Sequence, residues 1–242
     1  MEWQEPAAVL ETTPYGEGDA LVVLLAAEHG LWRGLAKGGK ARGKSAIWQP
    51  GNLITARWTG RQSENLGQFT AELAYPAAAL AMENHLNLAI LNAACALTAG
   101  ALPEREPHPE TFIGLTRLLA AINIKDLALP TLIRWELDLL RELGFGLDLT
   151  SSAIAGDNDR LAYVSPRTGR AVSFSAAGEW VDRLLKLPPF LTENSDPTPA
   201  DCLAGLKLTG HFLGRDVFGA RHRPLPPARE RLYDLLLERL GD

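Results

Sequence analysis

The sequence predicts an α+β protein, with a small β-rich N-terminal part followed by a mostly helical C-terminal part. Three observations predict it. Five short apolar or alternating runs crowd into the first seventy-odd of the 242 residues, with no room between them for a crossover helix. After Tyr75-Pro76 the apolar spacing changes to that of helices. The helices are then interrupted once, between Leu147 and Ser175, by turn signals around short strands.

The strands come in order. Ala7 to Thr13 is the first, and Thr13-Pro14-Tyr15-Gly16-Glu17-Gly18-Asp19 turns the chain. Ala20 to Ala27 is apolar throughout and long enough for a buried strand, ended by His29-Gly30. Leu31 to Lys37 is the third. Leu53 to Trp58, with β-branched and aromatic residues, is the fourth, and Leu66 to Leu73 is the fifth. Five such strands form a Greek-key barrel more readily than a parallel sheet. The OB-fold fits best, with an SH3-like barrel or an open meander as the alternatives.

The helices follow. Ala77 to Leu102 is rich in Ala and Leu, and Pro103 to Pro109 is a loop. Glu110 to Ile122 is a second helix. A third starts after Pro130 and ends at Gly144, with Ile133, Leu137, Leu140 and Gly144 on its core face. Arg134, Asp138, Arg141 and Glu142 lie on its solvated side at salt-bridge spacing. In the interruption, Gly156 to Asp159 and Ser165 to Gly169 read as turns around Leu161 to Val164, a hairpin insertion at about 147–175. Helices resume over Gly178 to Leu187, Ala200 to Arg215 and Ala228 to Leu240. Two domains are expected, 1–75 and 76–242.

Composition narrows the function. The two cysteines, Cys95 and Cys202, exclude a disulfide scaffold and fit a reduced compartment. The acidic N-terminus carries no apolar signal-peptide core. The uncharged stretch from Asn84 to Pro103 is interrupted by His85, Asn87, Asn92 and Gly100, so it reads as a buried helix and not as a membrane span. A cytoplasmic protein is expected.

The net charge of −5 hides an asymmetry. Arg33, Lys37, Lys40, Arg42, Lys44, Arg57 and Arg61 fall in one window without a single Asp or Glu. Outside it, 17 basic residues face 29 acidic ones, a net of −12. Trp32, Trp48 and Trp58 lie in or beside the same window. Cations that follow a phosphate backbone, with aromatic faces for bases, are the ingredients of single-strand binding on a small barrel. The candidate nucleic-acid-binding residues are therefore Arg33, Lys37, Lys40, Arg42, Lys44, Trp48, Arg57 and Arg61. Trp48 is expected to face solvent in the loop. Trp58, between Arg57 and Thr59, is expected in the core.

Gly38-Gly39-Lys40-Ala41-Arg42-Gly43-Lys44-Ser45 matches the phosphate-binding string G-x-x-x-x-G-K-S. A phosphate cradle also needs a helix to start there. Pro50-Gly51 follows too soon for more than one turn, so the segment reads as a flexible basic loop. The five histidines show no metal-ligand spacing, and neither G-x-S-x-G nor His-Glu-x-x-His occurs. No catalytic constellation is found, and no cofactor or metal is expected.

Seven segments together resemble the RecO-type DNA repair proteins, which are bacterial recombination mediators. They are Thr12 to Asp19, Leu35 to Lys40, Gln49 to Leu53, Arg134-Trp135-Glu136-Leu137, Leu143 to Leu149, Ala162 to Gly169, and Leu208-Thr209-Gly210-His211-Phe212-Leu213. The resemblance implies an N-terminal OB-fold, a helical C-terminal domain and no enzymatic turnover. It implies binding and annealing of single- and double-stranded DNA. It also implies work with a RecR-type partner, helping a RecA-type recombinase displace single-strand binding protein. An OB-fold RNA-binding protein and a P-loop nucleotide-dependent enzyme are the rival readings. In one respect the sequence departs from the family. Many relatives carry two Cys-x-x-Cys pairs around the hairpin insertion, and the matching positions here are Ser152, Ala155, Ser173 and Ala176. None of these supplies a thiolate, so no zinc is expected there.

Overall fold

A computed structural model of the chain describes residues 1–61, 66–153 and 160–241. The chain divides into two compact units, Met1–Ala128 and Leu129–Asp242.

The first unit is built on five strands: β1 (Glu2–Tyr15), β2 (Asp19–Ala26), β3 (Gly30–Ala36), β4 (Leu53–Thr59) and β5 (Gly67–Tyr75). They hydrogen-bond in the order β1-β2-β3-β5-β4 and close back on β1 as a barrel. All neighbours are antiparallel except β3 and β5, which run parallel over Gly34–Ala36. β1 belongs to both sides of the ring. Glu2 to Ala8 pair with β4, Ala7 to Tyr15 pair with β2, and the register shifts between Val9 and Glu11. A bulge of this kind bends a strand sharply enough to serve two partners.

Alternation fills the barrel. Trp3, Trp58 and Phe69 lie side by side across β1, β4 and β5 in paired register. Trp58 is 0% exposed, as its alternating strand predicts. Trp32 meets Trp58 edge-on at 5.4 Å between ring centroids. Gly67 makes room for this packing, because a Cβ there would stand 2.3 Å from the Trp58 indole.

Two helices flank the barrel, α1 (Ala77–Ala81) and α2 (His85–Ala101), followed by α3 (Pro109–Ala121). The single helix expected over 77–102 is divided at Asn84. Its side chain accepts from the amides of Leu86 and Asn87 and so starts a new helix. α2 packs on β1, where the Cys95 thiol lies 3.8 Å from the Val9 carbonyl.

The second unit holds α4 (Ala128–Glu142), a four-stranded sheet, α5 (Phe174–Ala177), α6 (Pro199–Phe212) and α7 (Pro227–Gly241). The sheet strands are β6 (Asp148–Ser152), β7 (Leu161–Val164), β8 (Arg170–Ser173) and β9 (Leu185–Lys186), in the order β6-β8-β7-β9. The hairpin expected at 147–175 is thus the middle of a larger sheet. Residues 178–187, expected as helix, form a short 3-10 turn and then β9, which pairs with Tyr163 and Val164. The turn expected at Gly156–Asp159 lies outside the described residues. α6 starts from a capping box between Thr198 and Asp201 and passes into a π-helical turn over Leu213–Phe218.

The core of this unit contains a charge pair. Glu136 of α4 and Arg229 of α7 are 0% and 1% exposed. Arg229 Nε donates to Glu136 Oε1 at 2.5 Å and Nη2 donates to Oε2 at 3.0 Å. Nη2 also reaches the Leu206 carbonyl of α6 at 2.8 Å. The Thr209 hydroxyl of α6 donates to Glu136 as well. Three helices are joined through one carboxylate, and its burial is satisfied because both of its oxygens accept from donors. Two of the segments that carry the family resemblance, Arg134 to Leu137 and Leu208 to Leu213, meet here.

Candidate nucleic-acid interface

The segment between β3 and β4, residues 37–52, is a compact run of turns. Successive short-range bonds fold it: Ala41 N to Gly38 O at 2.9 Å, Lys44 N to Ala41 O at 2.8 Å and Ile47 N to Lys44 O at 3.1 Å. Its start is fixed to the β1–β2 turn, where Gly38 N donates to Asp19 Oδ1 at 2.8 Å and Lys40 N donates to the Gly18 carbonyl at 3.2 Å. Gly39 is needed there, since a Cβ would stand 2.9 Å from the Ala36 carbonyl oxygen. Its end is fixed by Asn52, whose side-chain amide donates to Ala46 O at 2.7 Å and accepts from Ala78 N at 3.1 Å. The loop expected to be flexible is therefore fastened at both ends, by side chains of Asp19 and Asn52 that satisfy its backbone.

Trp48 corrects the sequence expectation. It was expected to face solvent, but it is 4% exposed and belongs to the barrel core. Its ring lies 6.4 Å from that of Phe69, and its carbonyl accepts the Thr12 hydroxyl at 2.6 Å. Ile47 packs against the same cluster. The loop thus inserts an indole into the barrel and keeps its charges outside. A buried ring offers no face to a base, so Trp48 is not a stacking residue.

The cations separate into two groups. Lys37, Lys40, Arg42 and Lys44 are all exposed on this one loop, and none is ion-paired with a described residue. Arg33 and Arg57, on β3 and β4, carry acidic partners: Arg33 Nε lies 2.6 Å from Glu104 Oε1, and Arg57 Nη2 lies 2.5 Å from Glu2 Oε1. Arg61 is exposed and follows the far end of β4, where Gly60 and Met1 exchange backbone hydrogen bonds. The acid-free window is therefore acid-free in sequence only. Its strand positions meet carboxylates from the N-terminus and from the loop after α2.

The loop does not continue as a nucleotide cradle. Ser45 is followed by further turns up to Gly51 and then β4, so no helix begins at the end of Gly38–Ser45. Among the described residues, no group of three or more His, Cys, Asp or Glu is placed to hold a metal. Of the positions matched to the relatives' cysteines, Ser173 accepts from Ala176 N at 3.4 Å and caps α5. Ser152 lies in β6, and Ala155 is outside the described residues.

The family model described as "Recombination protein O N terminal" matches residues 1–77, and "Recombination protein O C terminal" matches residues 82–225. The chain belongs to the RecO family. A protein named DNA repair protein RecO from Acidiphilium cryptum is 59% identical over 245 residues, covering 100% of this chain and 98% of its own. Namesakes from Granulibacter bethesdensis and Gluconacetobacter diazotrophicus are each 54% identical, covering 97% and 98% of this chain and 95% of their own. The family is named for DNA repair, and its two models meet between residues 77 and 82, just after β5. Among the described residues, no helix is long and apolar enough to cross a membrane.

The residues that sequence reasoning missed are the partners. Glu104 and Glu2 lie far from Arg33 and Arg57 along the chain. Only the barrel's closure and the return of the chain after α2 bring them together. Glu136 was legible in principle, as a carboxylate three residues after Ile133 and four before Leu140 on the apolar face of α4.

Proposed function

We propose that this chain is a non-enzymatic DNA-binding mediator whose barrel is an OB-fold that holds DNA through its β3–β4 loop. The observation that carries this reading is the set of four exposed cations, Lys37, Lys40, Arg42 and Lys44, on one anchored loop of a protein with net charge −5. Phosphates are the partners that such a loop attracts, and association is steered there against an acidic remainder. The strand order β1-β2-β3-β5-β4 with its parallel β3–β5 closure supports the OB assignment. The domain division that goes with it is 1–75 and 76–242.

Membership of a family named for DNA repair supports the wider role. The chain binds single- and double-stranded DNA and anneals strands. With a RecR-type partner it helps a RecA-type recombinase replace single-strand binding protein. It works in the cytoplasm at the nucleoid. The cations bind strands in any sequence, because phosphate contacts carry no base information.

The test is Lys40→Glu, Arg42→Glu and Lys44→Glu combined, with binding to a single-stranded oligonucleotide measured across a salt series. The wild type should show a slope of log affinity against log salt of up to about −3 from four phosphate contacts. The triple variant should bind far more weakly with an unchanged melting temperature. Wild-type affinity in the triple variant would overturn the reading.

A further inference from the structure

The half of β3 nearest its start has an open edge, because β5 pairs with it only from Gly34 onward. The loop after α2 fills that edge. Glu104 forms a parallel bridge with Leu31, and Arg105 N donates to the Leu31 carbonyl at 2.8 Å. The seat is made to fit, since a Cβ on Gly30 would stand 1.9 Å from the Glu106 carbonyl oxygen. Arg105 holds a left-handed backbone conformation, φ +65°, which non-glycine residues seldom adopt. From this strap two side chains reach onto the barrel. The Glu104 carboxylate meets Arg33, and the Arg105 guanidinium lies 5.1 Å from the centre of the Trp32 ring.

The strap thus places an anion on a cation of the barrel wall. The backbone contacts are tightly fitted at Gly30, whereas the ion pair is half exposed, at 49% for Arg33 and 44% for Glu104. An exposed pair of this kind is held weakly and exchanges readily for another anion. A phosphate diester presents the same charge and the same acceptor oxygens to a guanidinium, which binds either one bidentately. The carboxylate occupies Arg33 in the free protein, as a phosphate would in a complex.

We propose that Arg33 is a phosphate subsite for a DNA strand, closed in the free protein by the Glu104 carboxylate of the strap. Opening it needs only rotation of the Glu104 side chain, while Arg105 N–Leu31 O and the Gly30 seat hold the strap in place. The inference rests on the reading of the barrel as a DNA-binding module and adds to it an internal competitor at a defined residue.

Glu104→Gln tests it, because the variant keeps the shape of the strap and removes the charge. Single-strand binding is measured across salt for the wild type, Glu104→Gln, Arg33→Gln, the double variant, and Glu83→Gln as an exposed charge control. Glu104→Gln should tighten binding at least about twofold at 50 mM salt and steepen the salt slope by about 0.7, one phosphate contact. The extra affinity lost between 50 and 200 mM salt is then about 2.6-fold. Arg33→Gln should have little effect alone and should abolish the gain in the double variant. A gain no larger than that of Glu83→Gln, or a gain that survives in the double variant, overturns the subsite. The Lys40, Arg42 and Lys44 triple variant is run in parallel. If it binds weakly and Glu104→Gln is silent, the subsite falls and the loop reading stands. If it binds normally and Glu104→Gln tightens, the loop reading falls and the subsite stands.

Discussion

Replacing Arg229 by Met should remove the charge that lets Glu136 be buried. Methionine keeps the length of the stem and fills much of the volume, so the change isolates the guanidinium. Arg229 supplies both Glu136 oxygens with donors at 2.5 and 3.0 Å, and gives a third hydrogen bond to the Leu206 carbonyl. Once it is gone, a carboxylate with no exposed surface keeps only the Thr209 hydroxyl. Breaking a buried pair from one side costs about 3–5 kcal/mol, because the remaining charge is neither solvated nor paired. That is at least a hundredfold in the folding equilibrium, a large part of the stability of an ordinary domain. Removing both charges should cost much less. In a cycle of Arg229→Met, Glu136→Gln and the double variant, the double variant should be more stable than Arg229→Met alone. Urea unfolding followed by circular dichroism at 222 nm reads the helices that the pair joins. If Arg229→Met unfolds within about 1 kcal/mol of the wild type, or if Glu136→Gln fails to rescue it, the pair does not organise this core and the reasoning is wrong.

Trp48→Ala should lower the melting temperature, with a loss of about 3–5 kcal/mol, and should leave the salt dependence of DNA binding by the folded protein unchanged. Trp58→Ala should cost about as much, since its ring is fully enclosed by β1, β4 and β5. Burial pushes the Cys95 thiol up to about 12 and the Cys202 thiol up to about 11, with Glu11 and Asp201 adding to the respective shifts. Both should therefore resist a thiol-specific reagent at pH 8 in the native protein and react at once in denaturant. Because the folded values are raised, the thiols favour the folded state fully below the ordinary thiol range. That contribution is lost as pH climbs from about 9 toward 11–12, visible as a melting temperature that falls over that range. Elemental analysis of the purified protein should give well under one zinc per chain, and one per chain would refute the reading of Ser152, Ala155, Ser173 and Ala176.

Periodicity made the strands and the interior position of Trp58 legible, because a strand that alternates Arg57, Trp58, Thr59 can bury only one face. Trp48 was not legible. A run of turns has no period, so nothing local says which side chain points inward, and the answer depends on a barrel opening formed by distant strands. The basic loop was legible as charge, but the neutralisation of Arg33 and Arg57 was not, since Glu104 and Glu2 reach them only through tertiary closure. Residues 185–186 read as helix because their neighbours favour it, yet an unpaired edge of β7 takes them as a strand. The division of the first helix at Asn84 carried a signal in the cap residue itself, obscured by the apolar run on both sides.

The double pairing of β1 has a consequence for how the protein is made. β1, which carries Trp3 and is made before its partners in the ring, finds its second partner only when Trp58 of β4 has also emerged, and β3 meets β5 later still. At roughly 5–20 residues per second, the 55 residues between Glu2 and Trp58 take about 3–11 s to synthesise. For that interval β1 presents a bare edge and an indole to its surroundings. Ring closure is then dominated by contacts far apart in sequence, the slow kind. A chain interrupted before Leu53 has all the residues of three strands and no way to close them, so it is a substrate for chaperones and proteases. The architecture that fixes the basic loop on a closed ring also makes the seconds between synthesis of β1 and of β4 a vulnerable interval.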